Sequence, residues 1–256
     1  MAICRISAVC NQKGGVGKTT TAHALATGLP YKGNKALAVD LDAQGNLTYA
    51  FGASVDKPNI YDLLTGEVIA PRVVQTTGQG AIIASSQKLT RADMAFTGFG
   101  REYLLREALE PFRSVYSHII LDCPPTLGIL TIDALTAADD LVIPMQSDIF
   151  SLMGLSQLVA TVEAVRQRSN QALQIAGLLI CRYSGRAILS SEVKDTISEK
   201  AVQIGTQLYD TVIREGIAIR EAQIKRQSLY KTLLKSKPAI DYLSFIDEYL
   251  AQASRK

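Results

Sequence analysis

The chain has 256 residues, 47% of them hydrophobic, and carries a formal net charge of +3. That is enough apolar material for a full core, and α/β domains of this length are commonly one unit, so a single domain over 1–256 is expected. The charge is too mild to identify a nucleic-acid binder by itself, and no run of about 18 apolar residues suggests a membrane span. The start Met1-Ala2-Ile3-Cys4-Arg5 lacks a signal-peptide layout, so the chain is expected in the cytosol.

In chain order, an apolar run at Ile6–Cys10 predicts the first strand. It feeds Lys13-Gly14-Gly15-Val16-Gly17-Lys18-Thr19-Thr20, and a helix is expected over Thr19–Leu29. Strand, glycine loop and helix in that order make a phosphate cradle. Glycines let successive backbone N–H groups turn towards an anion, and the helix adds its positive end. In such a loop Lys18 reaches the β- and γ-phosphates and Thr19 offers its hydroxyl to Mg²⁺. ATP and Mg²⁺ are therefore the expected ligands.

Further strands are predicted at Lys35–Asp40, Gly80–Ala84, His118–Asp122, Leu141–Pro144, Ala176–Cys181 and Gln207–Ile213. Helices are predicted at Ile60–Thr65, Arg101–Phe112, Leu130–Ala137, Ser151–Ser169, Ser190–Ile204 and Ala239–Ala253, with Pro111, Gly154 and Pro238 at edges. Apolar strands alternating with helices imply an α/β fold, a doubly wound and mostly parallel sheet with helices on both faces. Ligands in such sheets lie beyond the carboxyl ends of the strands, where the glycine loop falls.

Two acidic motifs also stand at strand ends, Asp40-Leu41-Asp42-Ala43-Gln44-Gly45-Asn46 and Asp122-Cys123-Pro124-Pro125. Phosphoryl transfer depends on positioning and charge neutralisation, so a carboxylate near the metal and a group that orients water are needed. Asp122 suits the first role and Asp42 the second.

Position 12, where the common P-loop has glycine, is Gln, and the loop has a second lysine, Lys13. Together with Asn11-Gln12, this resembles the deviant Walker A motif of the ParA/MinD ATPases. The three segments resemble, in order and separation, the Walker A, switch I-like and Walker B motifs of ParA-type chromosome and plasmid partition ATPases. The likeness continues through Thr126-Leu127-Gly128, Ala137-Ala138-Asp139, Ile143-Pro144 and Gly154-Leu155-Ser156-Gln157.

The resemblance implies that Gly14, Gly15, Val16, Gly17, Lys18, Thr19 and Thr20 cradle ATP, and that Thr19 and Asp122 serve Mg²⁺. It implies that Lys13 reaches across a homodimer to the partner's nucleotide and that Asp42 assists hydrolysis. It further implies an ATP-bound dimer that binds DNA non-specifically on the nucleoid and a ParB-like centromere-binding adaptor that triggers slow hydrolysis. The amino-terminal helix-turn-helix domain of larger relatives is expected to be absent. Many relatives carry an Ile-Pro-Arg-Asn-like stretch at the adenine pocket; here the run is Ile213-Arg214-Glu215-Gly216, so no base reader is assigned.

Basic residues gather in the last third, and Arg182, Arg220, Lys225 and Arg226 are the candidate DNA contacts, sequence-independent and salt-sensitive. From charge alone, solvated helix faces paired with Glu215, Glu221 and Asp241 are the competing account. A MinD-like membrane ATPase is an alternative, because Ile240, Leu243, Ile246, Tyr249 and Leu250 recur at helical spacing. Asp241, Asp247 and Glu248 interrupt that face and favour core packing without stable membrane insertion. An iron–sulfur carrier would need a second cysteine beside Cys123, and the sequence offers none at metal spacing. A small-molecule ligase is the remaining alternative. His23 and His118 lack metal-spaced partners and are expected to be structural.

Overall fold

The computed structural model describes residues 4–183 and 191–253. Seven strands form one sheet: β1 (Arg5–Val9), β2 (Ala36–Asp40), β3 (Val74–Thr77), β4 (Gly80–Ile83), β5 (His118–Asp122), β6 (Asp140–Met145) and β7 (Gln174–Ile180). Their spatial order is β3-β4-β2-β5-β1-β6-β7, all parallel except the edge pair β3/β4. The chain winds from β1 outward to β2 on one side and later to β6 on the other. The carboxyl end of β1 is thus the crevice where such sheets bind ligands.

Strand periodicity sorts the core into two layers. Ile119 and Leu121 of β5 and Leu37 and Val39 of β2 join one cluster, while Ile120, Ala36 and Ala38 join the other. Eleven α-helices occur among the described residues: α1 (Lys18–Tyr31), α2 (Asn46–Phe51), α3 (Ile60–Leu64), α4 (Ala92–Ala95), α5 (Leu104–Leu109), α6 (Ile129–Ala137), α7 (Ile149–Arg168), α8 (Ser191–Gln203), α9 (Ile217–Ile224), α10 (Leu229–Thr232) and α11 (Lys237–Ala253). The α5, α6 and α7 helices cover the first cluster, and α1 with α11 covers the second.

The doubly wound sheet stands as expected from the sequence, with local differences: α2, α4, α9 and α10 lie outside the predicted helices, and four further departures have visible causes. Gln207–Ile213 is not a strand: Leu208 makes only an isolated bridge to Leu178. The Tyr209 and Ile213 N–H groups still donate to Leu178 O and Ile180 O of β7, but between them those of Asp210 and Thr211 donate to the Glu248 carboxylate on α11, at 2.9 and 3.0 Å. The β3 strand was missed because its four residues, Val-Gln-Thr-Thr, are too short and polar to show an apolar run. The stretch 101–112 breaks into 3₁₀, α and 3₁₀ turns around Pro111. Gly154, expected at an edge, lies inside α7, where no atom crowds the site of a Cβ; the helix starts earlier because Asp148 caps it, accepting from the Ser151 N–H at 3.0 Å.

The last helix buries Tyr242, Phe245, Ile246 and Tyr249, whereas Ile240 is half exposed. Of the stripe foreseen at Ile240, Leu243, Ile246, Tyr249 and Leu250, only Ile240 lies off the core; the rest packs inward as expected, with α1 as the neighbouring helix. The approach is close: a Cβ on Gly28 would stand 2.4 Å from Ile246 Cδ1 and 2.8 Å from the Tyr230 ring. Among the described residues no helix is long and apolar enough to cross a membrane.

The histidines are structural. His23 is edge-on to Phe51 and 2.9 Å from Gln79 Oε1, and burial pushes its pKa down to about 4. Burial likewise lowers His118 to about 4.

On α6, Asp133 is buried and accepts the Leu105 N–H at 3.0 Å with one oxygen, leaving the other unpartnered. Burial raises its pKa to about 7. The folded chain holds this proton until about pH 7, whereas the unfolded carboxyl releases it at its ordinary value of 3.8, so this group lowers stability as pH rises between the two. Asp133→Asn keeps the acceptor and removes the charge. Its stability relative to the parent should rise by about 2 kcal/mol between pH 5 and pH 8, read from urea midpoints; a pH-independent difference would contradict the assignment.

Candidate functional site

The site begins where β1 ends. Gly15 and Gly17 take positive φ, 74° and 102°, which turns the loop's N–H groups inward before α1 starts at Lys18. Gly17 also lies against Cys181: a Cβ there would stand 3.4 Å from the Cys181 Cβ. Val16 is fully buried and anchors the loop in the core. Asn11 braces the loop from below, donating to Pro144 O at 2.7 Å and accepting the Lys13 N–H at 2.9 Å.

A cavity of about 460 Å³ opens above this loop. Gly14, Gly15, Gly17, Lys18, Thr19, Thr20 and Asp42 all line it, as the sequence predicts for a common site. Lys18 is buried and its ammonium donates to Lys13 O at 3.0 Å. Burial lowers the Lys18 pKa, and the neighbouring Asp122 opposes that shift.

Asp122 and Asp40 are register partners on adjacent parallel strands, and both are fully buried. Asp40 is well served: it accepts Thr48 N–H and hydroxyl at 2.7 Å each and the Asp42 N–H at 3.2 Å. Its pKa is nonetheless raised to about 6, by burial first. Asp122 has neither oxygen in a hydrogen bond. Burial and then the Asp40 charge push its pKa well up, while the adjacent Thr19 hydroxyl and Lys18 act in the opposite direction. A buried carboxylate with two unpartnered oxygens beside a threonine hydroxyl supplies the oxygen donors a hard cation takes, and it fits Mg²⁺.

Several neighbours escaped the sequence reading because only the fold brings them near. Lys13 is folded onto its own chain: its ammonium lies 2.8 and 2.9 Å from the two Asp148 oxygens and 3.3 Å from Ser151 Oγ. Arg182 hangs over the loop, donating to Gly15 O at 3.0 Å and to Glu215 at 3.2 Å. Arg220 lines the same cavity, 3.9 Å from Glu215. Two of the four cations proposed for DNA thus sit at the cavity mouth. The other two follow α9, where Lys225 pairs with Glu221 at 3.9 Å and Arg226 lies 4.3 Å over the Tyr49 ring.

The run Ile213-Arg214-Glu215-Gly216 still reaches the cavity through Ile213, Glu215 and Gly216, joined by Ile219, Gln223 and Tyr242. Arg214 does not line it; its N–H and guanidinium engage Asp241 of α11. Cys123 does have a thiol neighbour, Cys10 across β1 and β5, and burial pushes the Cys123 thiol well up. Both are free and buried, and no group of three or more His, Cys, Asp or Glu side chains occurs in reach of a metal among the described residues.

Residues 4–175 match the family described as an AAA domain. The sporulation initiation inhibitor protein Soj of Bacillus subtilis is 37% identical, over 96% of this chain and 98% of Soj. The chromosome partitioning protein ParA of Caulobacter vibrioides is 35% identical, over 97% of this chain and 94% of that protein. Among solved structures, the cobyrinic acid a,c-diamide synthase of Mycobacterium smegmatis, with bound ATP analogue and magnesium, is 31% identical with a TM-score of 0.84. It covers 98% of this chain and 96% of its own.

The unpaired Asp122 carboxylate carries a stability cost in the ligand-free chain. Asp122→Asn should raise the melting temperature without nucleotide or divalent cation, by the equivalent of about 1 kcal/mol, because a like-charged buried neighbour is removed. A lower melting temperature would contradict this account.

Proposed function

The chain belongs to the ParA/Soj family of P-loop ATPases, and from that premise we propose that it is a Mg²⁺-dependent ATPase of DNA partition. In this reading ATP closes a homodimer that binds DNA without sequence preference on the nucleoid. Hydrolysis, stimulated by a ParB-like adaptor at a centromere site, then releases it. The observation that carries the reading is the cavity in which the glycine loop, Lys18, Thr19 and Asp42 converge beside the unpartnered Asp122.

Backbone N–H groups of Gly14 to Thr20 cradle the phosphates, with Lys18 turning from Lys13 O to the β- and γ-phosphates. Thr19 and Asp122 would hold Mg²⁺, which when bound neutralises charge between the phosphates. Asp42, half-buried at the cavity edge, orients the attacking water. Arg182 and Arg220 sit on the nucleotide side, which leaves Lys225 and Arg226 as the better DNA contacts. Lys13 must leave Asp148 to reach a partner's nucleotide. That pair is about one-third exposed at each side chain, so breaking it costs at most about 1 kcal/mol.

Lys18→Ala should weaken ATP binding about 10- to 100-fold by calorimetry, the scale of one or two hydrogen bonds to charged oxygens; unchanged affinity would remove the loop assignment. The decisive test is binding to random-sequence duplex DNA with ATP, with ADP and without nucleotide, at two salt concentrations, with the oligomeric state followed alongside. Only the ATP state should bind, as a dimer, and more weakly at higher salt. Nucleotide binding with no DNA affinity in any state would overturn the partition reading.

A further inference from the structure

Asp42 lies on an irregular segment between β2 and α2, and its own side chain is held only locally, accepting the Gln44 N–H at 3.0 Å. Its backbone is fixed from outside. The Asp42 N–H donates to Asp40 Oδ1 at 3.2 Å, and the Asp42 carbonyl accepts the Ser85 hydroxyl at 2.6 Å. Ser85 follows β4, and its N–H donates to Thr48 Oγ1 at 2.8 Å. Thr48 closes the circuit by donating both its N–H and its hydroxyl to Asp40 Oδ2, at 2.7 Å each.

The result is a closed ring of hydrogen bonds through Asp42, Asp40, Thr48 and Ser85. It ties together the end of β2, the first turn of α2 and the second residue after β4. Asp40, Thr48 and Ser85 are all buried, and none of the three lines the nucleotide cavity. Ser85 reaches the site through the Asp42 carbonyl, whereas Asp40 also faces Asp122 across the strand pair, which makes Ser85 the cleaner probe of Asp42. The ring also replaces a missing cap: α2 begins after Gly45, which has no side chain to offer, and Asp40 accepts the Thr48 N–H in its place.

Resting on the assignment of Asp42 to hydrolysis, we infer that the hydroxyls of Ser85 and Thr48 are positioning groups for that step, holding the Asp42 backbone in its productive place. A displacement of about 1 Å at a reacting group is enough to cost orders of magnitude in rate, so a ring that removes slack from Asp42 acts on turnover rather than on binding.

The test is steady-state ATP hydrolysis by the full chain, with ATP affinity measured separately by calorimetry. Ser85→Ala and Thr48→Val should each lower kcat about 3- to 10-fold, the factor one neutral hydrogen bond supplies, with KM and ATP affinity unchanged. Thr48→Ser, which restores the hydroxyl, should recover the parent rate. In an Asp42→Ala background, Ser85→Ala should cause no further loss. Retained ATP affinity reports that each variant is folded, and Ser85→Ala is the milder of the two should Thr48→Val disturb α2. Normal kcat in both variants, a parallel loss of affinity, or failure of Thr48→Ser to recover the rate would overturn the inference. An inactive Asp42→Ala with an unimpaired Ser85→Ala would overturn it alone; wild-type turnover in Asp42→Ala would remove the Asp42 reading beneath it.

Discussion

Two carboxylates buried face to face set the terms for the whole site. Parallel pairing of β2 with β5 puts Asp40 opposite Asp122, both fully buried. Burial raises both pKa values, the Asp40 charge raises that of Asp122 further, and the fold relieves only Asp40. Asp40 receives three donors from its own segment, while Asp122 receives none that qualifies. The imbalance divides the labour: the satisfied acid organises local structure, and the unsatisfied one is left to seek a cation. Lys18, itself desolvated, is the nearest compensation in the ligand-free chain, which links the lysine and the carboxylate proposed to serve phosphate and metal.

Much of this was legible in the sequence for physical reasons. A strand buried on both faces must be apolar throughout, so β1, β2, β5 and β6 announce themselves, and their terminal acids stand out against that background. The glycine loop is equally readable because its chemistry is contiguous. The failures share a cause. Gln207–Ile213 has strand-like composition, but Glu248, distant in sequence, claims the N–H groups of Asp210 and Thr211 and interrupts the ladder to β7. On α11 only Ile240 departs from the foreseen stripe, because the helix turns Tyr242 and Phe245 to the core in its first turns. Lys13 with Asp148, and Arg182 with Gly15, are separated by 135 and 167 positions, and nothing local marks them.

The cations illustrate how placement changes meaning. A count of basic residues in the last third cannot separate a nucleotide-facing arginine from a solvent-facing one. Arg182 and Arg220 converge on Glu215 at the cavity mouth, whereas Arg214 is drawn into an ion pair with Asp241 that joins the end of the core to α11. The carboxy-terminal third is thus less a separate charged face than a collar around the nucleotide cavity.

The contact at Gly28 has a mechanical side. Because α1 can approach α11 only where a side chain is missing, the two helices interlock at one register and cannot slide past each other. The opening turn of α1 is the phosphate loop, so the loop's seat is ultimately set by the final helix of the described chain. Tyr242 makes the link explicit, lining the nucleotide cavity from α11 while its hydroxyl lies 3.2 Å from that of Thr21 on α1. The wall of the nucleotide cavity and the anchorage of the carboxy-terminal helix are therefore built on one shared contact surface, the face that α1 turns to α11.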